Sequence, residues 1–485
     1  MLWIALELPA LPLQIVERGG IAREPLVIGE GPAQRPVVAC ANDKARAAGV
    51  REGQAVAAAK ALAGELRVVV RDSGAERQAL EQLAAWALQF TPMVALDGQG
   101  IVLEVESSLR LFAGHAKLSA AIRRGVRDIG FHATLGIAPT ALAARLFARA
   151  EARGLPVRGC LEPAHLRERL ADLPLFLLDW PGKTLARLTD LGILRLRDML
   201  ALPTEGIAKR FGPEIVVCLE RLTGRLADPR LTHVPPPQFH ARLELPAEAD
   251  GVEALLFPLR RMLAEFEGAM RGRGAGAQRL DLVLEHGRKA RTRVVLDFAS
   301  PEREAQFILG IAREKLGRLT LPAATMAIAL HAEALLPYAP RNATWLPGAS
   351  EQAIDRARLI ERLAARLGND RVFGIAIRDD HRPERHWSEA CARAKRRRAN
   401  HEMSYGERPV WLLNQPQKLL TADGNPTCQG ELELLAGPER IEAGWWDGAE
   451  AARDYYVAAN SCGERFWIFR EHRGQQGWYV HGVFA

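Results

Sequence analysis

Four acidic residues in the first quarter of the chain are of a type that can bind a metal ion. Glu7 is the only charged residue in the apolar run of residues 2–8. Asp97 opens the Asp-Gly-Gln-Gly turn between two further apolar runs, and Glu104 and Glu106 follow it. Carboxylate oxygens are the ligands that hard divalent cations such as Mg²⁺ prefer.

A structural interpretation of the same residues is also available. Asp97 precedes Gly98, and Asp-Gly between alternating apolar residues is typical of a tight hairpin turn, because glycine supplies the positive φ. Glu104 and Glu106 are two residues apart, so on a strand they share one face, which we expect to be exposed to solvent. A displaced site for a single metal ion is the alternative.

Cysteine and histidine spacing gives no metal or disulfide motif. The six cysteines are far apart, with no CxxC and no paired Cys/His spacing. We interpret them as reduced, mostly buried thiols of a cytoplasmic protein. Asp379, Asp380, His381 and His386 lie close together but match no strong ligand pattern, so a solvated loop is the favoured interpretation.

Length and charge narrow the class of protein. A chain of 485 residues is expected to hold about three or four domains, at ~150 residues each. The net charge of +7 suits a nucleic-acid partner but does not require one. No apolar run approaches the ~18 residues of a membrane span, and the start lacks the basic region of a signal peptide. We therefore expect a cytoplasmic, nucleoid-associated protein.

The elements that must position the carboxylates follow an α+β pattern. A strand over residues 2–8, inserted short strands and helices, a helix over residues 74–89, the hairpin, a helix, a strand and a helix follow one another up to residue 153. This order predicts a sheet domain with a small subdomain inserted after its first strand.

The order of elements, together with three short motifs, resembles the Y-family DNA polymerases, which are translesion enzymes. Residues 39–50 are similar to the fingers motif A-x-A-N-Y-E-A-R-x-x-G-V, residues 53–62 to G-M-P-x-x-x-A-x-x-L, and residues 135–140 to V-G-I-A-x-N. The resemblance covers roughly the first two thirds of the chain. It implies a palm (1–165) with inserted fingers (about 10–75), a helical thumb (166–234) and a little finger (238–336).

The resemblance also locates where a catalytic centre would be. Family members hold two Mg²⁺ ions with an Asp on the first strand and an adjacent Asp-Glu pair in the hairpin, so that the ions bridge the attacking and leaving oxygens. Here the first position falls on Glu7, and the pair falls on Asp97-Gly98 or, in a second alignment, on Gln99-Gly100. Neither alignment supplies adjacent carboxylates. We predict vestigial positions, no catalytic residue and no cofactor.

The nucleotide pocket that the resemblance implies has also lost its usual residues. The aromatic residue that stacks near the triphosphate aligns with Asp43, a threonine with Cys40, the steric gate with Pro12 and a phosphate-binding lysine with Glu151. A carboxylate at the first of these positions would repel phosphate. Arg46 is the remnant of the phosphate clamp, or else an ordinary surface ion-pair residue.

The thumb and the little finger supply candidate DNA contacts. Gly182 and Lys183 lie in a turn before a helix, and backbone N–H groups at such a turn can bind a DNA phosphate. The pattern from residue 239 to 330 predicts a βαββαβ little finger. Basic residues cluster about its turns, and like charges collected in this way are unfavourable without an anionic partner. They are Arg271, Arg273, Arg288, Lys289, Arg291 and Arg293.

The C-terminal third is predicted to bind proteins. Residues 337–407 are expected to form a linker and a basic region. Trp345 and Leu346 are a candidate for a sliding-clamp peptide, with a plain linker as the alternative. Short aromatic strands predict a small β-rich partner-binding module over residues 408–485, although aromatic residues at this density are more often core than ligand cage. Its candidate contact residues are Trp445, Trp446, Trp467 and Trp478.

The tail extends the resemblance to nearly the whole chain. Residues 111–114 (LFAG), 437–441 (GPERI) and 478–485 (WYVHGVFA) are similar to the ImuB family, the catalytically inactive Y-family homologues of bacterial mutasomes. This implies a non-catalytic scaffold of SOS-induced translesion synthesis. It would bind primer-template DNA independently of sequence, and a sliding clamp, an error-prone C-family DNA polymerase and RecA-like ImuA.

Two other functions fit the sequence. One is an active, divergent Y-family polymerase that uses Glu7, Asp97 and a shifted Glu104, with Mg²⁺ as cofactor. The other is a general DNA-binding adaptor without preference for primer-template DNA.

Overall fold

The computed structural model describes residues 1–20, 24–157, 159–287, 290–339, 349–391, 406–422, 424–474 and 476–484. These residues form two compact units, Met1–Arg366 and Leu367–Ala485. Among the described residues, no helix is both long and apolar enough to cross a lipid bilayer.

The first part of the first unit contains three subdomains, which we call palm, fingers and thumb. The thumb comprises the helices between residues 166 and 222. Their strands are β1 (Trp3–Glu7), β2 (Leu26–Glu30), β3 (Val37–Ala41), β4 (Arg67–Val70), β5 (Val94–Asp97), β6 (Gly100–Glu104) and β7 (Thr134–Ala138). Their helices are α1 (Leu11–Glu17), α2 (Asp43–Ala47), α3 (Val56–Leu62), α4 (Ser73–Ala87), α5 (His115–Asp128), α6 (Ala141–Ala152), α7 (Leu166–Ala171), α8 (Gly182–Asp190), α9 (Leu196–Leu200), α10 (Thr204–Phe211) and α11 (Pro213–Leu222).

The palm is built on a four-stranded antiparallel sheet in the order β5-β6-β1-β7. Every residue of β1 is buried, because both faces of the sheet are covered. Ile4 and Leu6 belong to a core that includes residues of α4 and α5. Trp3 and Ala5 belong to a second core, shared with α6 and the thumb. Alternate residues of one strand thus anchor two layers.

The predicted hairpin is confirmed. Asp97 pairs with Gly100 across β5 and β6, which leaves a two-residue turn at Gly98 and Gln99. Gly98 has φ of 61°, the left-handed conformation that the Asp-Gly signal anticipates.

The predicted exposure of Glu104 is wrong. Its side chain is 7% exposed, and Oε1 accepts hydrogen bonds from the backbone N–H groups of Leu2 (3.3 Å) and Glu106 (3.2 Å). A carboxylate that accepts backbone N–H bonds satisfies donors that the sheet leaves unpaired, so it is buried as a structural group. Glu106 is 61% exposed and pairs with the amino terminus at Met1 (2.6 Å).

The fingers form a small three-stranded sheet in the order β3-β2-β4, with α2 and α3 packed on their own core. Asn42, the asparagine of the fingers motif, is buried and N-caps α2. Its Oδ1 accepts hydrogen bonds from Ala45 N (2.9 Å) and Leu26 N (3.0 Å). The motif therefore has a local structural role here, because an N-cap satisfies donors at a helix start.

The little finger follows the thumb in the first unit. Its elements are β8 (Phe239–Ala249), α12 (Val252–Arg273), β9 (Ala275–His286), β10 (Arg291–Glu302), α13 (Ala305–Gly317), β11 (Thr325–Ala332) and the short β12 (Leu336–Pro337). The predicted βαββαβ order is confirmed, with sheet order β10-β9-β11-β8 and β12 paired with β9. Residues of both helices and all four long strands share one apolar core.

A further helix, α14 (Ala349–Leu367), contacts the little finger. Arg358 pairs with Glu302 (2.5 Å) and Glu304 (3.0 Å) and lies over the ring of Phe307. Glu361 accepts a hydrogen bond from Ala299 N (2.5 Å). From the sequence we expect a linker and a basic region over residues 337–407, but these contacts tie this helix to the little finger.

The second unit is antiparallel β structure. Its strands are β13 (Phe373–Ile377), β14 (Trp387–Cys391), β15 (Trp411–Lys418), β16 (Leu420–Ala422), β17 (Asn425–Thr427), β18 (Glu433–Ala443), β19 (Ala451–Ala459), β20 (Arg465–Glu471) and β21 (Gly477–Val483). Five of them form a sheet in the order β15-β21-β20-β19-β18, and the pairs β13-β14 and β16-β17 form two ribbons.

The tryptophans of this unit have different environments. Trp467 is 2% exposed and stacks on Tyr455 with ring centroids 4.1 Å apart. It is a core residue that a partner cannot reach, contrary to our expectation. Trp478 is half-buried against Tyr456. Trp445 and Trp446 lie between β18 and β19 and are 76% and 57% exposed. Burial removes one of the four candidates and leaves this pair accessible.

Candidate functional site

The candidate site lies where two palm strands end at the same edge of the sheet. Glu7 is the last residue of β1 and Asp97 the last residue of β5, and each pairs with Gly100 on the strand between them. The hairpin and the first strand therefore bring these two carboxylates together, as the sequence analysis expects.

Helix α6 supplies two arginines to this edge. Arg145 and Arg149 are four residues apart, so they share one face of the helix. The helix lies very close to β7, because a Cβ added at Gly136 would meet Ala144 O at 1.9 Å and Ala148 N at 2.5 Å. Only glycine permits this approach, and β7 is the neighbour of β1. The arginines are thus held next to Glu7.

Both guanidinium groups contact the vestigial carboxylates directly. Arg145 Nη1 donates to Asp97 Oδ1 (2.6 Å), and its Nε lies 3.8 Å from Glu7 Oε2. Arg149 Nε donates to Glu7 Oε1 (3.1 Å). All four side chains are between 9% and 17% exposed. Charge-assisted bonds are strong where water is largely excluded.

Three residues from outside the palm complete the group. Asp179 Oδ2 accepts from Arg145 Nη2 (2.5 Å), and Asp179 Oδ1 accepts from Arg149 Nη1 (2.5 Å). Arg230 Nη1 donates to Asp97 Oδ2 (2.8 Å), and Arg230 also pairs with Asp228 (2.5 Å). We call the set the arginine–carboxylate cluster. Its members are Glu7, Asp97, Arg145, Arg149, Asp179, Asp228 and Arg230.

Burial and charge act in opposite directions on the carboxyl groups of this cluster. Burial raises the pKa of Glu7 above its ordinary value of 4.5, although the charges of Arg149 and Arg145 oppose the rise. Burial would also raise the pKa of Asp179, but hydrogen bonding to Arg149 and the charge of Arg145 outweigh it, and the pKa is lowered. Asp179 is therefore the more firmly ionised of the two groups.

The residues at this edge do not fit a pair of magnesium ions. Each oxygen of Asp97 accepts a hydrogen bond from an arginine, and Glu7 lies between two guanidinium groups. A divalent cation would need both Asp97 oxygens and Glu7 Oε1 free. Glu7 Oε2 accepts no hydrogen bond, but the two guanidinium groups beside it would repel the cation. Within the described part of the chain, no three His, Cys, Asp or Glu side chains are arranged to hold a metal ion.

Neither Gly98 nor Glu104 can supply the additional carboxylate that a two-metal site would need. A Cβ at Gly98 would lie 2.1 Å from Arg145 Nη2, so a side chain there competes with the arginine for space. Glu104 pairs with Trp3 at the opposite end of β1 from Glu7. Four residues along a strand span roughly 13 Å. The shifted Glu104 of the active-polymerase alternative is therefore too far away, and that assignment is wrong.

The positions of the expected nucleotide pocket carry local contacts. Arg46 is 51% exposed and pairs with Asp43 at 3.3 Å. Glu151 accepts hydrogen bonds from Leu135 N (2.6 Å) and Arg123 (2.9 Å). Burial raises the pKa of Cys40 to about 11, so its thiol is protonated at neutral pH. Glu151 is thus satisfied within the protein, and Arg46 forms an exposed surface ion pair.

The candidate DNA contacts divide into two groups. Gly182 and Lys183 are exposed at the start of α8. The four candidate arginines of the little finger that the structure describes instead have partners within the protein, so their clustering alone does not call for an anion. These contacts are Arg271–Glu267 (2.5 Å), Arg273–Pro236 O (2.6 Å), Arg291–Glu285 (3.5 Å) and Arg293–Asp281 (2.7 Å). Arg288, Lys289 and the clamp candidates Trp345 and Leu346 lie outside the described residues.

Sequence reasoning missed the basic half of the cluster. Arg145 and Arg149 carried one usable signal, their spacing of four on a helix that follows the motif at residues 135–140. Arg230 lies 133 residues from its partner Asp97, and no local pattern links them.

The chain is similar to known proteins over most of its length. The sequence profile of the impB/mucB/samB family matches residues 13–149. Protein ImuB of Caulobacter vibrioides is 30% identical over 464 residues, which cover 90% of this chain and 100% of that protein. The chain belongs to the ImuB family. This membership confirms the Y-family polymerase-like fold and supports a role related to translesion synthesis.

More distant relatives of this ImuB-family chain share only part of it. DNA polymerase IV of Shewanella sp. (strain ANA-3) is 31% identical over 206 residues, which are 41% of this chain and 56% of that enzyme. DNA polymerase IV of Dehalococcoides mccartyi is 30% identical over 196 residues, which are 39% and 49%. The crystal structure of DinB from Sulfolobus solfataricus is similar over 70% of this chain and 100% of that chain, with 18% identity and a TM-score of 0.39.

Proposed function

We propose that this ImuB-family chain is a non-catalytic, polymerase-shaped scaffold of DNA-damage-induced translesion synthesis. It binds primer-template DNA through contacts with the DNA backbone. It also recruits an error-prone C-family DNA polymerase, together with the sliding clamp and RecA-like ImuA. The arginine–carboxylate cluster is the observation that carries the non-catalytic part of the proposal.

Nucleotidyl transfer in the Y family needs oxygens that can take two divalent cations. In this chain guanidinium groups bond the remaining carboxylates, and a guanidinium is cationic at all ordinary pH values. The positive charge that metal ions would bring is therefore already present as side chains, and a guanidinium cannot coordinate the attacking and leaving oxygens as a divalent cation does. This supports a palm that keeps its shape without the reaction.

Primer extension tests the non-catalytic proposal. The purified chain, supplied with primer-template DNA, all four deoxynucleotides and Mg²⁺ or Mn²⁺, is expected to add no nucleotides. The Glu7→Ala variant controls for a contaminating polymerase, because contamination is insensitive to that change. Sustained incorporation that disappears in Glu7→Ala would establish the active-polymerase alternative.

DNA binding through phosphates predicts a specific salt dependence. If Lys183 contacts one phosphate, Lys183→Ala should reduce the slope of log affinity against log salt by about 0.9 on duplex DNA and weaken binding equally for all sequences. Lys209→Ala, which removes a lysine from α10 of the same thumb, is the matched control and should leave the slope unchanged. An unchanged slope for Lys183→Ala removes this residue from the interface.

Primer-template preference separates the scaffold from the general adaptor. The scaffold is expected to bind a recessed 3′ end more tightly than blunt duplex of the same length at the same salt concentration. Equal affinities would favour the adaptor, whose contacts are with phosphates alone.

The exposed tryptophan pair is the proposed anchor for a protein partner. Trp445 and Trp446 lie edge to face, with ring centroids 5.5 Å apart. Exposed aromatic residues in a fixed geometry are typical hot spots of interfaces. The turn is fixed by Arg382, which is 2% exposed and donates to Asp447 (2.7 Å) and Ala449 O (2.9 Å).

Replacing Trp445 and Trp446 together by alanine in the full chain is expected to abolish co-purification with the error-prone polymerase or ImuA. DNA binding should be unchanged. Trp411→Ala is the matched control, because Trp411 is 70% exposed at the start of β15, apart from this turn in sequence. Retention of both partners by the double variant would contradict the assignment of this turn.

A further inference from the structure

The arginine–carboxylate cluster joins residues from three separate parts of the first unit. Glu7, Asp97, Arg145 and Arg149 belong to the palm, at the ends of β1 and β5 and on α6. Asp179 lies just before α8, where the chain enters the main helices of the thumb. Asp228 and Arg230 follow α11, where the chain leaves the thumb. Both ends of the helical segment α8–α11 therefore meet at one point of the palm.

The connection at the entrance is made by forked, directional bonds, and the connection at the exit is made by a single bond between Arg230 and Asp97. At the entrance, Arg149 donates to both oxygens of Asp179 (2.5 and 2.8 Å) and to Leu177 O (3.0 Å). Arg145 donates to the same carboxylate (2.5 Å). At the exit, Arg230 reaches Asp97, whose other oxygen is bonded to Arg145. Forked bonds of this kind fix orientation as well as distance.

Two weaker contacts reinforce the same junction. His233 N donates to Val94 O (2.7 Å), which attaches the chain after the thumb to the edge strand β5. Thr140 Oγ1, at the start of α6, donates to Leu222 O (3.0 Å) at the end of α11. The apolar core of the thumb is also continuous with that of α6.

We propose that the vestigial catalytic centre is a palm–thumb lock, a set of ion pairs that holds the thumb in a fixed position on the palm without a metal ion or a nucleotide. The inference goes beyond the non-catalytic proposal, because a palm that merely lacks metal ligands need not hold its thumb. The lock acts as a positioning device. It presents the exposed start of α8 at a constant place for a DNA backbone.

Hydrogen exchange of the full chain, measured without DNA or nucleotide, tests the lock. The variant is Asp179→Asn with Arg230→Gln. Asp179 is 61% exposed, and Asp97 keeps its bond to Arg145 when Arg230 is replaced. Amides of α8–α11 are expected to exchange at least tenfold faster than in the unchanged protein, while those of β1, β6 and β7 keep their rates. Adding Mg²⁺ to the unchanged protein should leave the thumb rates as they are.

A matched control is present in the same thumb. Asp172 is also exposed (70%) and also forms ion pairs with two arginines, Arg195 and Arg197, but all three lie within the thumb. Asp172→Asn with Arg225→Gln, which changes an exposed arginine just after α11, should alter thumb exchange less than twofold.

Three results would overturn the lock. They are thumb exchange in the Asp179 variant no faster than in the control, equal acceleration in the palm strands, and slowing of thumb exchange by Mg²⁺ in the unchanged protein. The single variant Asp179→Asn gives an independent reading, because it removes charge from the thumb side alone and should accelerate the same amides by a smaller factor. Primer extension plays no part in this readout, so either proposal can fail while the other stands.

Discussion

Replacing Arg145 and Arg149 together by alanine is expected to lower the free energy of unfolding of the palm by roughly 3–5 kcal/mol, the cost of breaking a buried ion pair from one side. Glu7 and Asp97 are only 9% and 10% exposed, and the change leaves Glu7 without a positive partner among the cluster residues. The measurement is native-state hydrogen exchange in urea, followed on the amides of β1 and β6.

The same variant should show a characteristic pH dependence. Burial already raises the pKa of Glu7, and loss of the two arginines removes the charges that oppose this rise. A carboxyl with a higher pKa in the folded state stabilises that state at low pH, and the stabilisation is lost as the pH rises through the folded pKa. The deficit of the variant should therefore be smaller at about pH 5 than at about pH 8.

Arg195 and Arg197, changed together to alanine, provide the control. They also share one aspartate, Asp172, but are 49% and 54% exposed. Exposed pairs contribute about 0–1 kcal/mol, so a small loss without pH dependence is expected. A deficit of the same small size in the Arg145 and Arg149 variant would mean that water, rather than the arginines, compensates the two carboxylates.

Gly136→Ala is expected to have the second large effect, a loss of at least about 3 kcal/mol, at the upper end for overpacking. The new Cβ would lie 1.9 Å from Ala144 O and 2.5 Å from Ala148 N, and both are backbone atoms of α6. The helix must therefore move away from β7 and carry Arg145 and Arg149 with it. Urea unfolding should show the lost stability, and the exchange of thumb amides should rise as the cluster separates.

Gly310→Ala is the matched control for this change. Gly310 lies within α13, where an added Cβ meets nothing within 4 Å. Alanine is favoured over glycine inside a helix by about 1 kcal/mol, so this variant should be neutral or slightly more stable. If Gly136→Ala were as well tolerated, the close approach of α6 to the sheet would not be what positions the arginines.

The parts of the fold that local chemistry determines were predictable from the sequence. The Asp-Gly turn at residues 97–98 predicted the hairpin, because only a few residues adopt that backbone conformation. The alternation of strand-like and helix-like hydrophobic periodicity along the chain predicted the βαββαβ little finger. The carboxylate deficit at Glu7 and at Asp97-Gly98 was likewise visible, because the departures lay inside recognisable motifs.

What depends on distant contacts was not predictable. Glu104 has the sequence context of an exposed strand residue, yet it accepts bonds from the N–H groups of Leu2 and Glu106, and Leu2 is 102 residues away. Trp467 is buried because β19 and β20 pair and stack it on Tyr455. The occupation of the vestigial site by arginines required α6, the hairpin and the segment after the thumb to meet in space.

Anomalous scattering from Mn²⁺ would show directly whether metal ions bind at the end of β1. Crystals of the chain with primer-template DNA and a non-hydrolysable nucleoside triphosphate, soaked in Mn²⁺, would give anomalous scattering from any bound ion. We expect no Mn²⁺ peak beside Glu7 and Asp97, with Arg145 and Arg149 still bonded to them. Two peaks bridging these carboxylates and the triphosphate, with the arginines displaced, would contradict this expectation.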